Sequence, residues 1–201
     1  MIEKIPRTTA ILAAANVILF FLAEIFSGST LETGVLITWG GAYLPALQDG
    51  QYWRLFTAMF THSGIRHLLN NMLLLCLLGS VLETQLGPVR YAVLYLLSGV
   101  LANVISWRLY LAQNSRTLVF VGASGAVFAV MGALLWIIIR NKGRLADLSL
   151  RSMLILLGFS LYFGFVSEGI SNEAHISGLL LGFLFSVLLY RKPKTVSNIS
   201  I

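Results

Sequence analysis

The sequence predicts an all-α integral membrane protein, a six-helix bundle with a long interfacial loop between its first two helices. Of the 201 residues, 57% are hydrophobic and only 11% are charged, whereas a soluble domain carries about 25% charged residues. The mean hydropathy is +0.84, and six runs approach the roughly 20 apolar residues that a membrane crossing needs. The single cysteine, Cys76, excludes an internal disulfide.

The six predicted helices form one membrane domain that covers residues 1–201. They span about 9–26, 66–86, 89–110, 123–139, 152–166 and 174–190. The first run lacks a cleavage site of small residues, so it is predicted to be a retained helix and not a signal peptide. Gly87-Pro88 separates the second helix from the third, and the polar residues 194–201 are predicted to be a disordered tail.

Residues 27–63 are too many for a simple connection between the first and second helices. They contain scattered glycines and six large aromatic residues: Trp39, Tyr43, Tyr52, Trp53, Phe56 and Phe60. Aromatic, weakly amphipathic segments favour the membrane interface. We therefore expect short helices that lie partly in the outer leaflet.

The basic residues predict how the helices are oriented. With six spans, ten Lys and Arg residues fall on the side of both termini: Lys4, Arg7, Arg90, Arg140, Lys142, Arg144, Arg151, Arg191, Lys192 and Lys194. Four fall on the other side: Arg54, Arg66, Arg108 and Arg116. Because Lys and Arg accumulate in cytoplasmic loops, both termini are predicted to be cytoplasmic. The second, fourth and sixth helices then begin at the outer face.

Ser124 lies in a segment of small residues, Gly122-Ala123-Ser124-Gly125, that opens the fourth helix. Gly125, Ala129 and Gly132 follow one another at helical spacing and give this helix a smooth face. One interpretation of Ser124 is a small residue of a helix-packing motif. The other is a nucleophile near the outer end of a membrane helix.

His175 opens the sixth helix at the same predicted depth, and Gly178 and Gly182 follow on its face. An ionisable residue in a membrane helix indicates function by default, although a hydrogen-bonded structural histidine is the alternative. If the small faces of the two helices pack together, His175 comes within reach of the Ser124 proton. Glu173 is interpreted as a solvated loop residue, so the sequence predicts a dyad and not a triad.

His67 and Asn71 lie one turn apart on one face of the second helix. Both side chains donate hydrogen bonds, which acyl transfer needs where negative charge develops on oxygen. The alternative is a polar clamp between helices. Asn70 is expected to face elsewhere, and His62 is expected to help fix the preceding loop.

Together and in this order, these motifs resemble the rhomboid intramembrane serine proteases across nearly the whole chain. The matching residues are Trp53-Arg54, His67-x-x-x-Asn71, Glu83, Gly122-x-Ser124-Gly125, Ala174-His175 and Gly178-x-x-x-Gly182. The resemblance implies the minimal six-helix bacterial form, located in the cell membrane. It also implies an endopeptidase that cleaves membrane helices near the extracytoplasmic face through an acyl-enzyme.

The resemblance also implies the roles of individual residues. Ser124 is the nucleophile and His175 the general base, while His67, Asn71 and the backbone N–H of Ser124 form the oxyanion site. Structural or supporting roles fall to Trp53, Arg54, Glu83, Gly122, Gly125, Asn172, Gly178 and Gly182. Substrates are implied to enter from the lipid between the second and fifth helices, where Phe159, Tyr162, Phe163 and Phe165 form a bulky side gate.

One position departs from the family pattern. Many bacterial relatives have Tyr one turn after the serine, packed on the histidine ring, whereas this chain has Phe128. The aromatic face is retained and the hydroxyl is not. The resemblance then implies an activity that is lower or altered at most.

Three alternatives compete with a protease. They are a catalytically weak or inactive relative that binds membrane helices, a small transporter, and a metal site that uses His67 and His175. Both dyad residues are retained, and the inner halves of the fourth and sixth helices are apolar, which favours a blind outer cavity over a pore. No carboxylate or thiol completes a metal shell at that depth. The predicted partners are membrane-protein substrates and the lipid bilayer, with no metal, cofactor or nucleic acid.

Overall fold

The computed structural model describes residues 4–114, 117–145, 147–166 and 171–191. In order, the elements are α1 (Arg7–Ser27), α2 (Thr33–Thr38), β1 (Ala42–Tyr43), α3 (Leu44–Gln48), α4 (Arg54–Thr57), a 3-10 turn (Ala58–Phe60), α5 (Gly64–Leu74), a π-helical turn (Leu75–Gly79), α6 (Ser80–Leu86), α7 (Pro88–Ala112), β2 (Val119–Phe120), α8 (Ser124–Arg140), β3 (Arg144–Leu145), β4 (Leu148–Ser149), α9 (Leu150–Val166) and α10 (Asn172–Leu189). The predicted tail, Arg116, Lys192 and Lys194 lie outside the described residues.

The described chain is mainly helical, and a helix covers each of the six predicted apolar runs. Four helical runs are long and apolar enough to cross a membrane: Arg7–Ser27, Gly64–Leu86, Pro88–Ala112 and Asn172–Leu189. The other two, α8 and α9, have 17 residues each. At 1.5 Å per residue they are about 26 Å long, which is less than the ~30 Å hydrocarbon core of a bilayer.

The second helical run is not uniform along its length. A π-helical turn over Leu75–Gly79 separates α5 from α6. The Ser80 hydroxyl donates a hydrogen bond of 2.6 Å to the carbonyl of Cys76 within this turn. The run ends at Gly87, whose φ of +78° suits a glycine, and Pro88 starts α7 at once.

The interfacial segment between α1 and α5 is held together by Arg54. Its Nη1 donates hydrogen bonds to the carbonyls of Ile37 at 2.7 Å and Gly41 at 3.0 Å, and its Nε donates to Gln51. The guanidinium also lies 4.5 Å from the centre of the Trp53 ring. Arg54 therefore connects the end of α2, the approach to β1 and the start of α4.

A pair of short strands joins this segment to the chain before α8. β1 and β2 are antiparallel, with Ala42 opposite Phe120. Further along, the Gly122 N–H donates to the Ala58 carbonyl at 2.8 Å. The position at which α8 begins is therefore fixed by the interfacial segment.

α8 is the central helix of the bundle, since nearly every residue between Gly125 and Ile138 is buried. α10 packs against it through the small residues that the sequence places on facing sides. A Cβ at Gly182 would overlap the Ala129 carbonyl, and a Cβ at Gly178 would overlap that of Gly125. The two backbones are in direct contact, as their small-residue spacing predicts.

α1 is anchored to the second helical run by Glu83. Its carboxylate accepts hydrogen bonds from the N–H groups of Thr8 at 3.0 Å and Thr9 at 2.8 Å, and from the Thr9 hydroxyl at 2.8 Å. Glu83 is 5% exposed, so these bonds compensate for the burial of its charge.

The outer surface of the bundle is apolar. Exposed large side chains include Ile11, Ile25, Phe26, Leu77, Phe159, Leu184 and Leu188. Such a wide apolar surface is unsuited to water, and it surrounds helices of membrane-spanning length. The fold is that of an integral membrane protein.

Candidate active site

One cavity of about 390 Å³ collects most of the polar residues singled out by the sequence. Its polar and aromatic lining consists of Ser124, Phe128, His175, His67, Asn70 and Asn71, and α9 contributes Phe159, Ser160, Phe163 and Gly164. The cavity lies where the N-terminal ends of α5, α8 and α10 meet.

Ser124 is the first residue of α8 and is half-buried. The preceding Gly122 has φ of +116°, a conformation that disfavours other residues, and it turns the chain from β2 into the helix. The first N–H groups of a helix have no partner within it. The N-terminal turn of α8 is therefore suited to bind negative charge beside the Ser124 hydroxyl.

His175 lies in the first turn of α10 and is 4% exposed. Ser171 caps this helix by accepting a hydrogen bond from the Ala174 N–H at 3.1 Å. The imidazole stacks on Phe128 with a centroid distance of 4.2 Å and an interplanar angle of 13°. Neither ring nitrogen has a hydrogen-bond partner among the described residues.

His67 approaches the start of α8 from the side of α5. A Cβ at Gly122 would lie 2.6 Å from its Cε1 and 2.7 Å from its Nε2, so only glycine allows this approach. Asn71 is 5% exposed, and its amide donates to the His67 carbonyl at 3.1 Å. The two donors share one face of α5, next to Ser124.

The prediction that Asn70 faces elsewhere is wrong, because Asn70 lines the same cavity. Asn70 and Asn71 are consecutive residues of α5, so their side chains point about 100° apart around the helix axis. The cavity is wide enough for both to line it. Asn70 itself is exposed, so it lies at the rim, whereas Asn71 lies inside.

Glu173 is not a solvated loop residue as predicted. Because Ser171 starts α10 earlier than expected, Glu173 lies in the first helical turn. Its carboxylate accepts a hydrogen bond of 2.7 Å from the Tyr110 hydroxyl, which also lies 2.8 Å from the Ser171 Oγ. These contacts fasten the start of α10 to the end of α7.

His62 is closer to the site than the sequence indicated. It is 1% exposed, and its Nε2 accepts a hydrogen bond of 3.4 Å from the Ala123 N–H. Its ring centre is 5.1 Å from that of His67. Burial, assisted by the neighbouring His67, lowers the pKa of His62 to about 3. One signal in the sequence could have placed His62 near the site. It is one of only three histidines in the chain, and the other two open predicted helices.

The remaining predicted residues are not part of the cavity lining. Gly125, Gly178 and Gly182 form the contact between α8 and α10, and Trp53 and Arg54 lie in the interfacial segment. The Asn172 amide donates to the Gly164 carbonyl of α9 at 3.1 Å. Ser115 and Glu168, polar residues between the helices, lie outside the described part.

The fold and the cavity together define a helical membrane protein in which Ser124, His67 and His175 line one cavity. Residues 49–192 match the Rhomboid domain. The chain belongs to the rhomboid family.

Named relatives from two organisms support this assignment. The chain is 33% identical over 184 residues to "Rhomboid protease GluP" of Bacillus subtilis, which covers 92% of this chain and 35% of the relative. It is 29% identical over 196 residues to "Putative rhomboid protease YdcA" of the same organism, and the alignment covers 96% of this chain and 93% of the relative. It is 36% identical over 173 residues to "RHOMBOID-like protein 6, mitochondrial" of Arabidopsis thaliana, and the alignment covers 84% of this chain and 52% of the relative. The chain thus spans a third to a half of the length of two of these relatives.

Proposed function

We propose that this protein is an intramembrane serine endopeptidase that uses Ser124 as nucleophile and His175 as general base. The observation that carries the proposal is the common cavity, which Ser124, His175, His67 and Asn71 all line. Two of the named relatives are called rhomboid proteases, which supports the same reaction class.

In the proposed mechanism, the Ser124 hydroxyl attacks the scissile carbonyl while His175 takes its proton. The imidazolium then returns the proton to the leaving amine, and water hydrolyses the acyl-enzyme by the same route. The imidazole must be neutral to act as a base.

The oxyanion of the tetrahedral intermediate would be bound at the N-terminus of α8. The N–H of Ser124 lies at this helix end, and the His67 imidazole packs against the Gly122 backbone two residues earlier. Asn71 is on the same face and is able to redirect its amide from the His67 carbonyl towards a ligand. One such donor typically contributes about 10²–10³ in rate.

The length of α8 supports a site below the membrane surface. If Arg140 lies at the cytoplasmic boundary, the ~26 Å helix leaves Ser124 several ångströms inside the outer boundary. The substrate would be a membrane helix that unwinds locally and exposes its backbone to Ser124. We propose that it enters between α5 and α9, past the exposed Phe159 and Phe163, and that small residues precede the cleaved bond.

Labelling with an activated fluorophosphonate tests the nucleophile. The purified protein is expected to be labelled once, and Ser124→Ala is expected to abolish the label. Ser177→Ala is a matched control, because Ser177 is a buried helical serine whose hydroxyl donates to its own helix. Undiminished labelling of Ser124→Ala would contradict the proposal. A folded wild-type protein that is neither labelled nor able to cleave a transmembrane substrate would support the helix-binding alternative.

A further inference from the structure

We propose that Asn172 is a positioning residue that orients His175 by accepting a hydrogen bond from its Nδ1–H, directly or through one water. The inference rests on the proposed function of His175 as a base and adds a third polar member to the dyad. It begins from two buried polar atoms, Asn172 Oδ1 and His175 Nδ1, that have no hydrogen-bond partner among the described residues.

Both atoms lie beside the same point on α9. A Cβ at Gly164 would be 2.5 Å from Asn172 Oδ1 and 3.1 Å from His175 Nδ1. The sum of the two distances limits the separation of the atoms to about 5.6 Å, which one water molecule is able to bridge. Gly164 has no side chain to come between them.

The orientation of the Asn172 amide follows from its other contact. Its Nδ2 donates to the Gly164 carbonyl at 3.1 Å, and a carbonyl accepts hydrogen bonds only from a donor. The amide nitrogen is therefore committed to α9. The Oδ1 remains as an acceptor.

The imidazole presents the complementary donor. To accept the Ser124 proton at Nε2, a neutral His175 must carry its own proton on Nδ1. That N–H needs an acceptor, since a buried donor without a partner is destabilising. Phe128 cannot supply one: its stacking fixes the tilt of the ring but not the direction of the two nitrogens within the plane.

Few other titratable groups face His175. The described neighbours on α5 contribute His67, whereas the described parts of α8 and α9 that line the cavity carry no charged residue. Glu173 on α10 is held by Tyr110. Asn172 is thus the polar side chain placed to define the tautomer of His175.

The pH dependence of cleavage separates this role from a merely structural one. The full chain in liposomes is assayed with a model transmembrane substrate from pH 5 to 9. Asn172→Ala is expected to lower kcat about 10- to 100-fold, the range for loss of a group that orients an imidazole at metal sites, with KM within twofold. Unlike Asn172→Ala, Asn172→Asp keeps an acceptor, and it adds a charge that favours the imidazolium. The acidic limb of its pH–kcat profile is therefore expected to move to higher pH by about one unit or more.

Ser171→Ala is the control for structure alone. It removes the side-chain cap of the same helical turn and keeps the hydrogen bond from the His175 N–H to the carbonyl of residue 171. The acidic limb of its pH profile is therefore expected to coincide with that of the wild type. The proposal is overturned if Asn172→Asp leaves the acidic limb in place, if Asn172→Ala keeps kcat within twofold, or if Ser171→Ala reproduces the shift.

A spectroscopic measurement makes the test independent of cleavage. With only three histidines in the chain, ¹⁵N-labelled histidine allows the His175 ring nitrogens to be assigned by single substitutions. Wild-type His175 is expected to be the Nδ1–H tautomer, and Asn172→Asp is expected to move its titration to higher pH. An inactive wild-type protein with this tautomer and shift would contradict only the proposed function. An active protein with an unshifted titration would contradict only the role of Asn172.

Discussion

At the scale of single residues, the aromatic ring of Phe128 is the feature that holds the His175 imidazole in place. Phe128 is 3% exposed and lies parallel to the imidazole at 4.2 Å. A phenol oxygen would extend beyond the stacked face, so its absence leaves that contact unchanged. The ring of Phe128 therefore limits the tilt of the proposed general base, and it does so without a hydroxyl.

This contact predicts different results for two substitutions of Phe128. Phe128→Tyr keeps the stack and is expected to retain cleavage activity within about threefold. Phe128→Ala frees the imidazole and leaves a core cavity that costs about 3–5 kcal/mol, so activity is expected to fall at least tenfold. Cleavage of a transmembrane substrate in liposomes measures both, with thermal unfolding in detergent to show that the variants are folded. Equal activities of Phe128→Ala and wild type would remove the ring from the mechanism.

His62 predicts a pH dependence of stability. Its pKa is about 3 in the folded protein and near 6.5 when unfolded, so the unfolded chain binds more protons between these values. The free energy of unfolding therefore falls as the pH falls from 6.5 towards 3, by at most about 1.4 kcal/mol per unit from this group.

Thermal unfolding in detergent at pH 7, 6 and 5 measures the effect. His62→Gln keeps an acceptor for the Ala123 N–H and removes the titration, so its loss of stability on acidification is expected to be smaller than that of the wild type. Because His67 and His175 are present in both proteins, the difference between the two curves reports on His62 and on its coupling to His67. Parallel stability curves for the two proteins would show that His62 does not titrate on unfolding.

At the scale of elements, the contact between α8 and α10 determines whether the candidate dyad can form. Both helices bring small residues to the interface, and a carbonyl of α8 lies where the Cβ of residue 182 would be. A methyl group there meets backbone and not a flexible side chain. The helices must separate to admit it, which also moves His175 away from Ser124.

Gly182→Ala is therefore expected to destabilise the protein by about 3 kcal/mol or more, the upper end for overpacking, and to abolish activity. Gly158→Ala is the matched control on α9, because its Cβ would have no atom within 4 Å. It is expected to be neutral or to stabilise by about 0.5–1 kcal/mol. Unfolding in detergent measures both, and equal stability of the two variants would contradict the close contact.

The elements also explain why some features followed from the sequence and others did not. Apolar runs and small-residue spacing are local signals, so they indicate the helices and the glycine contact. The π-helical turn at Leu75–Gly79 and the pairing of β1 with β2 depend on distant parts of the chain. The same holds for the site. Ser124 and His175 open apolar runs, which is a local signal. The hydrogen bonds of Glu173 with Tyr110 and of His62 with Ala123 form only through tertiary packing.

At the scale of the whole molecule, the distribution of basic residues predicts the side of the membrane on which the cavity opens. The turn between α8 and α9 carries Lys142 and Arg144, followed by Arg151 at the start of α9. The cavity lies at the opposite end of α8. If basic residues mark the cytoplasmic side, the cavity opens on the extracytoplasmic side.

Cysteine labelling in intact cells tests this orientation. In a Cys76→Ser background, Asp147→Cys in the turn after α8 and Asp49→Cys in the interfacial segment introduce single thiols at exposed positions. A membrane-impermeant maleimide is expected to label residue 49 in intact cells and residue 147 only after the cells are lysed. Because both positions bear exposed aspartates, the two variants control for each other in reactivity and expression. Labelling of residue 147 but not residue 49 before lysis would invert the topology and put the cavity on the cytoplasmic side, where the proposed cleavage of membrane helices near the extracytoplasmic face is impossible.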